Sequence, residues 1–104
     1  MAKRVGKDNF EAEVLSSEIP VILDFYSDTC IPCRAMSPVL GNIEDNYEGR
    51  LKVAKVNVTA DAQLASDFGV SSTPTILFFE NGKETGRVSG VVPENEILKM
   101  AGVI

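Results

Sequence analysis

The sequence predicts an α/β domain with a mixed, five-stranded central sheet flanked by four helices on both faces. Three observations carry this. Strand-like and helix-like segments alternate through the first two thirds of the chain, which implies parallel strands joined by right-handed crossovers. Two nearly unbroken apolar runs, "PVILDFY" and "LKVAKVNV", have strand length and the composition of strands covered on both sides. Finally, Asn81-Gly82 separates two strand patterns with the dipeptide that type I′ turns favour, adding an antiparallel hairpin.

Taken in order, "AKRVG" is a first strand. "DNFEAEVLSS" follows as a helix in which Asp8 and Glu11 have capping-box spacing and Phe10, Val14 and Leu15 share one face. "PVILDFY" is the central strand. "CIPCRAMSPVLGNIEDNYEG" is a long helical pattern containing Pro38, which removes a backbone donor and is expected to kink it. "LKVAKVNV" is the next buried strand. Thr59 is placed to cap the short helix "ADAQLASDFG", which stops at Gly69. "PTILFFENGKETGRVSG" supplies the hairpin, and a last helix starts at Pro93 and runs through Ile97, Leu98 and Ala101. No repeat, linker or low-complexity tract interrupts this order, so residues 1–104 are expected to form one domain.

Composition narrows the function. With 44% hydrophobic and 24% charged residues the chain is ordinary for a globular protein. A net charge of −5 disfavours nucleic acid and anionic lipid as partners. The N-terminal "MAKRVGKDNF" has basic residues with no apolar run behind them, unlike a secretory signal. Apolar runs such as "TILFF" fall well short of the roughly 20 residues that span a bilayer. The expectation is a cytoplasmic protein with no membrane association, where a cysteine pair is more often catalytic or metal-binding than structural.

The two cysteines, Cys30 and Cys33, stand in "DTCIPCRAM", in a chain with no histidine and no tryptophan. As a staple they would close a loop of four residues, for which chain-entropy arguments give roughly 2 kcal/mol, less any strain. As metal ligands they are two where a structural zinc site wants four, leaving only a metal or cluster shared between two chains. As a redox pair they are well placed. Cys30 sits where a strand hands over to a helix and Cys33 one turn further on, about 5 to 6 Å apart at Cβ, so the sulfurs can join and part without refolding. The first helical turn favours a thiolate at Cys30 by about 0.3 to 1 kcal/mol, up to ~2 in a partly buried site. Cys30 is then the attacking sulfur and Cys33 the resolving one, with Pro32 stiffening the turn between them. An acid inside "VILDFY", Asp24, is expected to be desolvated and its pKa raised, which makes it a usable base near neutrality.

The segment "VILDFYSDTCIPCRAMSPVL" resembles the active-site region of the thioredoxin family, and "VAKVNV", "STPTILFFENG" and "GVVPENEI" match its later blocks in order and spacing. The resemblance runs over nearly the whole chain and implies a thioredoxin fold. It implies a thiol-disulfide oxidoreductase that reduces disulfides in protein substrates, is re-reduced by a thioredoxin reductase, carries no cofactor or metal and acts as a monomer. Asp24 matches the family's buried carboxylate, which takes the resolving thiol's proton directly or through water, and Lys55 matches the lysine beside it. Pro74 matches the proline that is cis in this fold and lies against the active-site sulfurs. Thr73 next to it would offer main-chain hydrogen bonds to an extended substrate, and Ser89, Gly90 and Val91 match the loop completing the groove. Taken singly these residues have plainer readings: a strand-end aspartate with its lysine, a surface lysine, a trans proline opening a strand, a turn glycine.

Two positions depart from the family pattern. Tryptophan usually precedes the first cysteine and glycine follows it; here Thr29 and Ile31 do. A flat aromatic surface is lost and a β-branched apolar one gained, which bears on partner choice more than on chemistry. Two other functions stay open on sequence: a thioredoxin-like binding or scaffold subunit with a dispensable redox pair, and a dedicated reductant for a single enzyme.

Overall fold

A computed structural model describes residues 2–104. Five strands form one sheet: β1 (Lys3–Arg4), β2 (Val21–Tyr26), β3 (Lys52–Asn57), β4 (Thr75–Glu80) and β5 (Lys83–Ser89), in the order β1-β3-β2-β4-β5. The first three run parallel and the last two are antiparallel, so the mixed sheet anticipated from the alternating segments is present. Four helical segments surround it: a π-helical one (Glu11–Leu15), α1 (Ile31–Asn46), α2 (Ala62–Asp67) and α3 (Glu94–Met100).

The unbroken apolar run of β2 has its cause in position. It lies between β3 and β4, and every residue from Val21 to Phe25 is buried. Successive side chains of a strand point to opposite faces, so β2 and β3 divide their residues between two cores. Leu23, Phe25, Ala54 and Val56 pack with Phe10, Val14 and Leu64 on one side. Ile22 and Val53 pack with Met36, Leu40, Ile43 and Ile97 on the other, beneath α1 and α3. Asp24 and Lys55 have the same parity as Ile22 and Val53, which directs both toward the α1 face.

Turn chemistry holds where sequence demanded it. Asn81 and Gly82 have φ of 54° and 78°, the pair of positive values a type I′ turn requires. Gly69 ends α2 with φ of 66°. The helical backbone of α1 continues through Pro38 over the full Ile31–Asn46 span.

Three local expectations are corrected. The Asp8–Glu11 capping box does not form; instead the Asn9 Oδ1 accepts from the Gly6 N–H at 2.8 Å, and the helix has no side-chain cap. Its Ser16 N–H donates to the Glu11 carbonyl, an i→i+5 bond that widens the turn. That widening takes Leu15 off the shared face: Phe10 and Val14 are buried, while Leu15 is 38% exposed. Thr59 does not cap α2 either. The Asn57 Oδ1 accepts from the Thr59 and Ala60 N–H groups at 2.9 and 3.2 Å, turning the chain before α2 begins at Ala62. Among the described residues no helix is long and apolar enough to cross a membrane.

Candidate active site

The end of β2 and the start of α1 place the two cysteines. After Tyr26 the chain turns through Ser27, Asp28 and Thr29, and the Cys30 N–H donates back to the Ser27 carbonyl at 3.3 Å. Cys30 is the N-cap of α1, in extended conformation, and its sulfur accepts from the Cys33 N–H at 3.1 Å. The two sulfurs share a disulfide with 5.2 Å between the Cα atoms. They are not equivalent: Cys30 is half-buried at the surface, whereas Cys33 is only 6% exposed and faces inward. Once the bond opens, the first-turn N–H and the positive end of the helix lie against Cys30, where they favour a thiolate. Pro32 stands in the first turn of α1, and Thr29 and Ile31 flank Cys30 as exposed residues, Ile31 at 77%.

Beneath this turn sits Asp24. It is 7% exposed, and burial raises its pKa to about 6, an effect only partly opposed by the positive charge of Lys55. The parallel register of β2 and β3 sets Asp24 directly beside Lys55. The ammonium of Lys55 lies over the Tyr26 ring, 5.6 Å from its centroid, a cation–π placement. Asp24 Oδ1 is buried and has no hydrogen-bond partner among the described residues. A carboxyl in this state is costly to ionise and becomes a competent proton acceptor close to neutral pH. Asp24, Lys55 and Cys33 line one cavity of about 210 Å³, so the carboxyl and the inner sulfur open onto a common space.

A second group forms alongside. The Thr73–Pro74 peptide bond is cis, and Pro74 is buried. The Gly90 N–H donates to the Pro74 carbonyl at 2.9 Å, and the Thr75 and Ser89 hydroxyls lie 3.2 Å apart, which fastens the Ser89–Gly90–Val91 loop to the cis-proline segment. Gly90 has φ of 84°, a conformation that favours glycine. The Val92 N–H donates to Met36 Sδ at 3.4 Å, tying the same loop to α1. Thr73 precedes the first ladder pair, Thr75–Ser89, so its main chain lies outside the pairing of the sheet. Val91 is 57% exposed.

The structure therefore brings Asp24, Lys55 and Cys33 to one cavity and joins Pro74 to Gly90. It also adds residues that sequence reasoning passed over. Ser37 lines the Asp24 cavity, and its spacing of four from Cys33 on a helix was the available signal. Tyr26 holds the Lys55 ammonium. Asn57 is a buried amide whose Nδ2 donates to Asp28 Oδ2 at 3.3 Å, linking the end of β3 to the turn before Cys30; a polar residue inside the apolar "VAKVNV" was its trace in the sequence.

A closable cysteine pair at a helix N-terminus, above a buried carboxyl on this mixed sheet, defines a dithiol–disulfide oxidoreductase. A family model described as thioredoxin matches residues 1–102. Thioredoxin 1 of Nostoc sp. is 41% identical over 96 residues, covering 92% of this chain and 90% of its own length. The thioredoxin of Rickettsia bellii is 34% identical over 99 residues, covering 95% and 94%. The chloroplastic M-type thioredoxin of Chlamydomonas reinhardtii is 38% identical, with 94% of this chain matching 70% of that protein. The chain belongs to the thioredoxin family, and Cys30 and Cys33 form its redox-active pair.

Proposed function

We propose that this protein is a single thioredoxin domain over residues 1–104 that reduces disulfides in protein substrates, with Cys30 as nucleophile and Cys33 as resolving thiol. The Cys30 thiolate attacks one sulfur of the target disulfide; a Cys30–target bond forms and the other target sulfur leaves as a thiolate. Cys33 then yields its proton to the Asp24 carboxylate, attacks the Cys30 sulfur, and releases the second target sulfur, which is protonated. Two electrons have passed to the target and the Cys30–Cys33 disulfide remains. A thioredoxin reductase returns the two electrons, and the protein cycles as a monomer in the reducing cytoplasm, where a dithiol persists.

In this reading Lys55 moderates the Asp24 carboxyl, and Pro32 keeps the two sulfurs in register. Thr73 and Pro74 receive an extended target segment, with Ser89, Gly90 and Val91 closing the groove and Thr29 and Ile31 setting which targets fit. The observation that carries the reading is the inequality of the pair: the outer sulfur caps a helix, and the inner one shares a cavity with a buried carboxyl. Cys33→Ser tests it. That variant is expected to accumulate a mixed disulfide through Cys30 with protein targets, reversible by dithiothreitol. No adduct under mild oxidation, or equal trapping by Cys30→Ser, refutes the assignment. A single captured target would mark a dedicated reductant, and many would mark a general one.

A further inference from the structure

We propose that Ser37 is a positioning residue for proton transfer, holding the water through which the Cys33 thiol and the Asp24 carboxyl exchange a proton. The inference rests on Asp24 as proton acceptor and adds a residue that the cysteine motif does not contain. Three observations converge on it. Ser37 lies four residues beyond Cys33 on α1, so the two side chains occupy the same helical face one turn apart. It also lines the cavity of about 210 Å³ that holds Asp24 and Cys33, a space with room for several waters and with the polar partners that ordered water needs. A second cavity of about 170 Å³, bordered also by Gly41, Glu44 and Val53, shares Asp24, Ser37 and Lys55 with the first.

Of the two side chains that accompany Asp24 in both spaces, only one can pass a proton on. Lys55 is cationic, a donor without an acceptor site, and its ammonium lies over the Tyr26 ring. The Ser37 hydroxyl donates and accepts at once. Ser37 is exposed, while Asp24 is buried with Oδ1 unpartnered among the described residues, and the two line the same cavity, one solvent-facing and one closed. In the resolving step the Cys33 S–H gives its proton to the Ser37-held water, and that water gives one of its own to Asp24. The Cys33 thiolate then forms the bond to the Cys30 sulfur as the Cys30–target bond breaks and the target sulfur leaves as a thiolate. Afterwards the carboxyl returns the proton by the same water to solvent, which restores the Asp24 carboxylate for the next cycle.

The test is stopped-flow reduction of a chromogenic aromatic disulfide by the dithiol protein, from about pH 5 to 9. The first thiolate released reports attack by Cys30, and the second reports resolution by Cys33. Ser37→Ala is expected to slow the second phase by about threefold to tenfold, the weight of one hydrogen bond, and to move its pH midpoint, with the first phase unchanged. Ser37→Thr, which keeps the hydroxyl, is expected to restore both rate and midpoint. Asp24→Asn run in parallel separates the two claims. If Asp24→Asn slows resolution while Ser37→Ala superimposes on the parent protein, the role of Ser37 is overturned and that of Asp24 stands. If Asp24→Asn leaves resolution untouched, the Asp24 assignment itself fails. Equal slowing of both phases by Ser37→Ala, as a packing defect would produce, also overturns the proposal.

Discussion

Asp24 offers a quantitative test of the site that needs no substrate. Burial holds its carboxyl at about 6 against an ordinary value near 4, a difference of about two pK units. Each unit corresponds to about 1.4 kcal/mol, so ionising Asp24 costs the oxidised folded state about 3 kcal/mol relative to the unfolded chain. The sign follows from proton counting. Below about pH 4 both states carry the proton and there is no cost. Between about pH 4 and 6 the folded state keeps a proton that the unfolded state has lost, so stability falls as pH rises. Above about pH 6 the cost is fully present. Asp24→Asn removes the titration and leaves a neutral side chain of similar shape. The variant's stability relative to the parent should climb through that window by about 3 kcal/mol and then level off. Urea unfolding of the disulfide form at several pH values reads it directly, since such a gain moves the midpoint by about 1 to 3 M. Any difference between an amide and a protonated carboxyl adds a constant at every pH and does not imitate the slope. Two parallel profiles would show that Asp24 ionises without penalty, and would remove the physical basis for its role as a base.

Two further perturbations probe the surroundings. Lys55→Met deletes the positive charge that lowers the Asp24 pKa, so the carboxyl midpoint should rise above about 6 in a ¹³C NMR titration; a fall would mean that Lys55 acts by some other route. Gly82→Ala should destabilise by about 1 to 3 kcal/mol in thermal unfolding, because φ is 78° and the new Cβ would stand 2.9 Å from the Leu15 carbonyl oxygen. Gly86→Ala is its control. That Cβ meets only the flexible end of Met100 at 3.2 Å, and equal losses in the two variants would refute the backbone argument.

What could be read from the sequence follows the range of the forces involved. The buried run of β2, the Asn81-Gly82 turn and the stop at Gly69 are written in a few adjacent residues, because turn dihedrals and strand burial are decided locally. The first helix was misjudged for a related reason. Asp8 and Glu11 have the spacing of a capping box, but the helix starts two residues later with Phe10 as its N-cap, and a wide turn lets Phe10 and Val14 reach the core at the expense of Leu15. Thr59 likewise lies inside the turn that the Asn57 Oδ1 closes by accepting from the Thr59 and Ala60 N–H groups, so the N-cap position of α2 passes to Asp61.

The site divides along the same line. Cys30 and Cys33 are neighbours on one helical turn, and Asp24 was conspicuous as a charge in an apolar strand, so sequence alone reached them. The resemblance already paired Asp24 with Lys55, but the placement of the ammonium over Tyr26 was not reachable without the register of β2 on β3. A salt bridge to Asp24 would have pulled its pKa down. An ammonium drawn to an aromatic face leaves desolvation in control, and the carboxyl stays near neutrality. The base strength of Asp24 is thus a property of the sheet pairing as much as of the residue. Tyr26, absent from any cysteine motif, shares in setting it.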